Sequence, residues 1–156
     1  MSKQSKAFTM VELVVVITVI GILAVLVAPK FASARSDAVI TATSEDLGAI
    51  TDALSMYMAK NGSYPRDVVR MRVVNDLTPY FKNDNPFAKP APIGGVYDYE
   101  GPPNWNPPQI SIRKNGDNVW TDEMALALDK YMDNGDLNTG KLRKHGGRLG
   151  YYFDGQ

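Results

Sequence analysis

One carboxylate, Glu12, interrupts a run of sequence that is otherwise apolar from Phe8 to Ala28. A charge at the centre of a membrane helix costs about 2.5–3.5 kcal/mol, so an acid kept in such a run points to a function and a partner. The second chemistry-bearing stretch is Asp133-Asn134-Gly135-Asp136-Leu137-Asn138-Thr139-Gly140. Oxygen donors from Asp133, Asp136 and Asn138 are of the kind calcium takes, although their spacing is not that of an EF-hand. The same residues also suit a turn that caps the preceding helix through Gly135.

The remaining polar residues exclude more than they suggest. His145 is the single histidine and cannot build a metal site or a Ser-His-Asp set alone. There is no cysteine, which removes disulfide scaffolds, zinc–cysteine sites and thiol catalysis. An oxidising compartment is allowed but not demanded. No glycine-rich phosphate loop follows a strand. Glu45 and Asp46 fall on the exposed side of a helical pattern and read as a solvated face. Lysine plus arginine and aspartate plus glutamate both number 17, so no net field attracts nucleic acid or an acidic substrate. Lys141, Arg143, Lys144 and Arg148 form the only loose basic cluster and read as a solvated turn. Tyrosine and tryptophan are plentiful in the second half, where packing is a better reading than a sugar- or base-stacking platform. The chain is not read as an enzyme. No organic cofactor is expected, and calcium is the one ion considered.

These residues must be positioned by a small number of elements, since 156 residues make one domain rather than two. Phe8 to Ala28 is 21 residues, about 31 Å as a helix, which matches a hydrocarbon core of about 30 Å. Lys3 and Lys6 precede it and would keep that end in the cytoplasm. Three readings are open. A secretory signal would be cut after Ala32-Ser33-Ala34, but the run is long for one and contains an acid. An uncleaved anchor would merely tolerate Glu12 near the interface.

The third reading comes from the motif itself. Ala7-Phe8-Thr9-Met10-Val11-Glu12-Leu13-Val14-Val15-Val16 resembles the N-terminus of type IV pilins and type II secretion pseudopilins. The resemblance implies a leader, residues 1–7, removed by a prepilin peptidase between Ala7 and Phe8, and N-methylation of the new Phe8 amine. The residue before the cut is usually glycine in the family, and Ala7 departs from that. The resemblance also implies that the Phe8 amine of one subunit meets Glu12 of its neighbour in a filament. That pairing neutralises a charge that hydrocarbon penalises and sets the height at which subunits dock. Gly21 and Pro29 match the family's helix-weakening positions, and that stretch is implied to loosen when subunits pack. Pro29 would kink the helix by removing a backbone hydrogen bond.

Beyond Pro29 the helical pattern continues. Ile40, Thr43, Leu47, Ile50, Leu54 and Tyr57 recur at steps of three and four, a stripe on one face, until Asn61-Gly62 supplies a stop. The chain divides into the leader (1–7), a membrane or filament-core half-helix (8–29), a soluble half-helix (30–61) and a periplasmic globular region (62–156). Ala53, Leu54, Tyr57, Gly62, Tyr64 and Pro65 match a second family block and favour the pseudopilin branch. Pro65 to about Leu77 is expected as a short helix ended by Thr78-Pro79, and 84–95 as loop. Val96–Tyr99, Gln109–Arg113 and Leu149–Phe153 read as strands, with a turn at Lys114–Asp117. Thr121 can cap a helix over Asp122 to about Met132 whose Met124, Leu128 and Tyr131 face inward. The expected fold is α+β and pilin-like: a long N-terminal helix packed on a small antiparallel sheet of three to four strands.

The function implied is structural. The subunit would sit in the inner membrane as a single-pass protein with a periplasmic domain, in contact with the lipid bilayer before assembly. It would join copies of itself and other pseudopilins through an inner-membrane assembly platform. The resulting filament would extend into the periplasm or to the cell surface. A type IV pilin for adhesion, motility or DNA uptake is the rival within the class. Many such pilins close a C-terminal loop with a disulfide, which a chain without cysteine cannot do. A secreted or tethered ligand-binding domain is the rival outside the class. Calcium in a C-terminal loop is a family property of major pseudopilins, but their sequence pattern there is not visible in this chain.

Overall fold

The computed structural model of the chain describes residues 9–67, 74–82, 84–105 and 107–153. The leader with Ala7 and Phe8 lies outside them, and so does the middle of the helix expected from Pro65 to Leu77. Two compact units are present, Met1–Asp37 and Ala38–Gln156. One helix, α1 (Met10–Asn61), contributes to both.

In the first unit every described side chain of α1 is exposed, from Met10 (86% exposed) through the valines and isoleucines to Phe31. An exposed apolar surface of this extent marks a face for lipid or for other proteins. The α-helix runs without interruption across Gly21 and Pro29. Thr18 is tolerated there because its hydroxyl donates to the Val14 carbonyl at 2.7 Å.

In the second unit the expected stripe is the buried face of α1. Ile40, Thr43, Leu47, Ile50, Ala53 and Leu54 are all buried, and Tyr57 is half-buried against Tyr80 at 6.0 Å in an edge-on arrangement. Each full burial of a leucine or isoleucine is worth about 1.5–3 kcal/mol, so this face fastens the helix to the sheet. Thr43 is the polar member of the stripe and is satisfied twice. Its hydroxyl donates to the Val39 carbonyl and accepts the Ile93 amide at 3.1 Å. The helix ends as expected at Gly62, whose φ of 72° is left-handed and whose N–H reaches the Met58 carbonyl at 2.8 Å.

The sheet has four antiparallel strands in the order β1 (Val96–Glu100), β2 (Gln109–Arg113), β4 (Arg148–Tyr151), β3 (Leu142–His145). Tyr97, Tyr99, Ile110, Ile112, Leu142 and Leu149 belong to the same apolar core as the α1 stripe. The Tyr97 hydroxyl donates to Asp46 at 3.2 Å and the Tyr99 hydroxyl to the Pro65 carbonyl at 3.1 Å. Burial, with the Asp46 carboxylate beside it, pushes the Tyr97 phenol far above its usual range, so it remains a donor. The second helix, α2 (Asp122–Met132), starts at Thr121, whose hydroxyl accepts the Met124 amide at 3.2 Å.

Several expectations change. Leu142–His145, read as part of a solvated basic turn, is edge strand β3, and Gly146-Gly147 is the hairpin turn joining it to β4. Two glycines between alternating segments are a hairpin signal that the basic residues mask. Asp46 is not on a solvated face: it holds Lys89 at 3.3 Å as well as Tyr97. Tyr131 points out, 59% exposed, and Asp129 takes a buried place on α2 beside Ala125 and Leu128. Of the helix expected from Pro65, residues 65–67 are coil, and a 3-10 turn, Asn75–Tyr80, runs through Pro79 instead of stopping before it. Pro79 donates no bond there, and the segment is held by the Leu77 amide on the Val74 carbonyl at 3.0 Å and the Phe81 amide on the Thr78 carbonyl at 3.4 Å.

Candidate functional site

The N-terminus of α1 is organised by Thr9 and Glu12. The Thr9 amide and hydroxyl donate to Glu12 Oε2 at 2.8 and 2.9 Å, and the Glu12 amide donates back to Thr9 Oγ1 at 3.2 Å. This is a reciprocal capping box, which satisfies helix N–H groups that hydrocarbon could not. The carboxylate therefore has an intrachain partner besides any it meets in an assembly. Thr9-Met10-Val11-Glu12 is a Thr-x-x-Glu signature. The signal was legible, but the charge of Glu12 drew the reading toward a counter-ion in another chain. Among the described residues the bonds that this carboxylate accepts all fall on Oε2.

Gly21 sits in the exposed apolar face of α1, and a methyl group added there would meet nothing within 4 Å. Packing against the described residues thus does not require a glycine, which costs about 1 kcal/mol relative to alanine in a helix interior.

The second family block fixes where the chain leaves α1. Ala53 and Leu54 are buried, Gly62 makes the turn, Tyr64 packs edge-on against Phe153 at 5.9 Å, and Pro65 receives the Tyr99 hydroxyl. These residues tie the end of the long helix to β1 and to Phe153, two residues beyond β4.

The sheet face opposite the α1 stripe is polar. Glu100, its side chain 3% exposed, accepts from Gln109 Nε2 at 2.6 Å, Ser111 Oγ at 3.0 Å, Arg113 Nη2 at 2.6 Å and Arg148 Nη1 at 2.9 Å. Asp98 pairs with Arg113 Nε. The register places these groups together, since Asp98 lies opposite Ser111, Glu100 opposite Gln109, and Arg113 opposite Arg148. Two acids and two guanidinium groups thus balance across three strands.

Asp133, Asp136 and Asn138 form a self-bonded loop. Asp136 Oδ1 accepts the Asn138 amide at 3.0 Å and its side-chain Nδ2 at 2.9 Å, and Oδ2 accepts the Thr139 hydroxyl at 3.1 Å. These bonds, led by the Asn138 amide, hold the Asp136 carboxyl below its usual range. Asp133 accepts the Lys141 and Leu142 amides and so ties the loop to the start of β3. Among the described residues no three acidic, histidine or cysteine side chains gather as a metal cage. The feature missed from sequence is Asp129. It is fully buried, and neither carboxylate oxygen has a hydrogen-bond partner. Burial first, then the nearby Asp133 carboxylate, raises its pKa; the Gly135 and Asp136 amides oppose this from beyond good hydrogen-bond geometry.

That shift predicts a pH dependence. A carboxyl whose folded pKa exceeds its unfolded value favours folding while protonated, and that contribution is lost as pH rises through the folded pKa. Asp129→Asn should therefore raise the melting temperature near pH 7, and the gain should shrink toward pH 4. A gain equal at both pH values would contradict the buried-charge account.

Comparisons with known proteins bear on the family. Residues 2–28 match the model of the prokaryotic N-terminal methylation motif. The chain is 32% identical over 108 residues to the type II secretion system core protein G of Pseudomonas aeruginosa (strain PAO1), an alignment covering 64% of this chain and 76% of that relative. No solved structure matches. The chain belongs to the type IV pilin and type II secretion pseudopilin family. The long exposed apolar helix fits a membrane-anchored subunit of that class.

Proposed function

We propose that this chain is a structural, non-enzymatic subunit of a type II secretion-like pseudopilus. A prepilin peptidase cuts between Ala7 and Phe8, Phe8 is N-methylated, and the subunit stands in the inner membrane as a single-pass protein until it is drawn into a filament. The carrying observation is an α1 surface exposed at every described side chain of the first unit, headed by the Glu12 carboxylate. In the filament that surface is covered by the helices of other copies and of other pseudopilins, gathered by an inner-membrane platform. Phe8 of one copy then reaches Glu12 of the next. Gly21 and Pro29 let the helix yield locally, because both lower the stability of the helical state there.

The test is the N-terminal residue of the protein purified from its own membranes, read by mass spectrometry. A chain beginning at methylated Phe8 is expected. A chain beginning at Arg35 would make the apolar run a secretory signal, and an untrimmed chain would make it an anchor.

Calcium is the one ion we assign to the loop after α2. Asp133, Asp136 and Asn138 would supply the oxygen donors. Millimolar calcium is expected to raise the melting temperature of the full chain, and Asp136→Asn is expected to abolish that rise. Isothermal titration without heat, together with an unmoved melting temperature, would remove calcium from the account.

A further inference from the structure

Three Asn-Gly pairs occur in the chain, Asn61-Gly62, Asn115-Gly116 and Asn134-Gly135. In such a pair the glycine nitrogen can attack the asparagine Cγ and close a five-membered succinimide ring, because no Cβ on the second residue obstructs the approach. The attack needs a free nitrogen, a side-chain amide able to turn, and a backbone that brings the two together. The fold treats the three pairs differently.

Asn61 is the last residue of α1, so its backbone is held helical. Its Nδ2 donates to the Tyr57 carbonyl at 2.9 Å, and the Gly62 nitrogen donates to the Met58 carbonyl at 2.8 Å. Electrophile and nucleophile are both committed. Asn134 is held at each end of its amide. Its Oδ1 accepts the Asp136 N–H at 2.8 Å, and its Nδ2 donates to the Thr139 hydroxyl at 3.0 Å. Breaking two such bonds before reaction costs about tenfold or more in rate.

Asn115 has neither restraint. It is exposed, and it opens the short turn that closes on Asn118 between β2 and α2. Among the described residues, neither its side-chain amide nor the Gly116 nitrogen makes a hydrogen bond. Gly116 has a φ of 58°, and a Cβ built there would meet nothing within 4 Å, so open space surrounds the turn. The fixed point lies one residue earlier, where the Lys114 amide donates to the Gly147 carbonyl at 3.0 Å.

We propose that Asn115 is a site of self-modification in the folded chain, converting to aspartate and isoaspartate through a succinimide formed with Gly116. The Gly116 nitrogen gives its proton to hydroxide and bonds to Asn115 Cγ. The bond from Cγ to the side-chain nitrogen breaks, and ammonia leaves. Water then opens the ring. Opening at Cγ leaves aspartate. Opening at the main-chain carbonyl of Asn115 leaves isoaspartate, whose backbone runs through the side chain and is one methylene longer. The balance is asparagine plus water giving the acid plus ammonia, and no other reactant is needed. Either product adds a carboxylate next in sequence to Lys114, and isoaspartate lengthens the backbone of the turn that pairs Asn115 with Asn118. This inference goes beyond filament assembly and does not depend on it.

The test incubates the full chain, folded in detergent, in mildly alkaline heavy-oxygen water and follows the three Asn-Gly peptides by mass spectrometry. Asn115 is expected to convert at least about tenfold faster than Asn61 or Asn134. Both isomers should form, and the new carboxyl should carry heavy oxygen. In denaturant the three pairs should convert at similar rates, because the restraints on Asn61 and Asn134 are gone. Gly116→Ala should slow Asn115 at least about tenfold. If that variant fails to fold, the native and denatured rates of the unaltered chain decide alone. Native conversion of Asn61 or Asn134 as fast as that of Asn115 would overturn the proposal. So would an Asn115 that stays intact, or a folded Gly116→Ala chain that converts unhindered. Aspartate without isoaspartate would exclude attack by Gly116, and the same ranking in denaturant would take the selectivity away from the fold; either result overturns it.

Discussion

Glu12→Ala should leave the chain in the membrane fraction and abolish filaments recovered by shearing and pelleting. Removing one partner of a buried ion pair costs about 3–5 kcal/mol, because the other charge is left uncompensated. At about 1.4 kcal/mol per factor of ten, that is about two to three and a half decades of association at each subunit interface. The Thr9–Glu12 capping box complicates the alanine variant, since it loses the cap along with the charge. A lost cap alone costs about 0.5–2 kcal/mol. Glu12→Gln separates the two effects. It keeps an acceptor for the Thr9 amide and hydroxyl but removes the charge. If assembly depends on a counter-ion, Glu12→Gln should fail nearly as badly as Glu12→Ala, whereas Thr9→Ala should assemble with a smaller deficit. Normal filaments from Glu12→Gln would show that only the cap matters and would end the ion-pair account.

Glu100→Ala should be the most destabilising single change in the second unit. Four side chains converge on that carboxylate, two of them guanidinium groups, and it is almost wholly buried. Its removal strands Arg113 and Arg148 on a face where they have little else to neutralise them, Asp98 apart. The expected loss is about 3–5 kcal/mol, a large fraction of the about 5–15 kcal/mol that holds a domain together. Chemical denaturation should show a lower midpoint with an unchanged slope. A loss under about 1 kcal/mol would mean that the network is solvated in practice and contributes little. The same network bears on specificity of register. A slip of one residue between β1 and β2 would turn Asp98 and Glu100 toward the apolar core that holds Tyr97 and Tyr99.

Much of the architecture could be read from spacing. The stripe from Ile40 to Tyr57 repeats at helical steps, and a helix can bury such a set on only one side, so its packing face was determined before any partner was known. The cap at Gly62, the cap at Thr121 and strands β1 and β2 follow from local chemistry in the same way. The motif around Glu12 carried the family, and the relative confirms it.

Other features needed the fold, because they join residues distant in sequence. Nothing local distinguishes Asp46 from its exposed neighbour Glu45; only the arrival of Tyr97 and Lys89 makes it a structural acceptor. Asp129 looks like any polar residue on an amphipathic helix until the loop after α2 folds back over it. The basic residues of β3 resembled a turn because an edge strand tolerates charge, and the strand exists only when β4 pairs with it. The sequence alone thus determined the long helix, its membrane-length apolar half and its acid, since those depend on composition and on contacts within a turn or two. Tertiary structure decided which charges are buried and which find partners, since those depend on strand register across tens of residues.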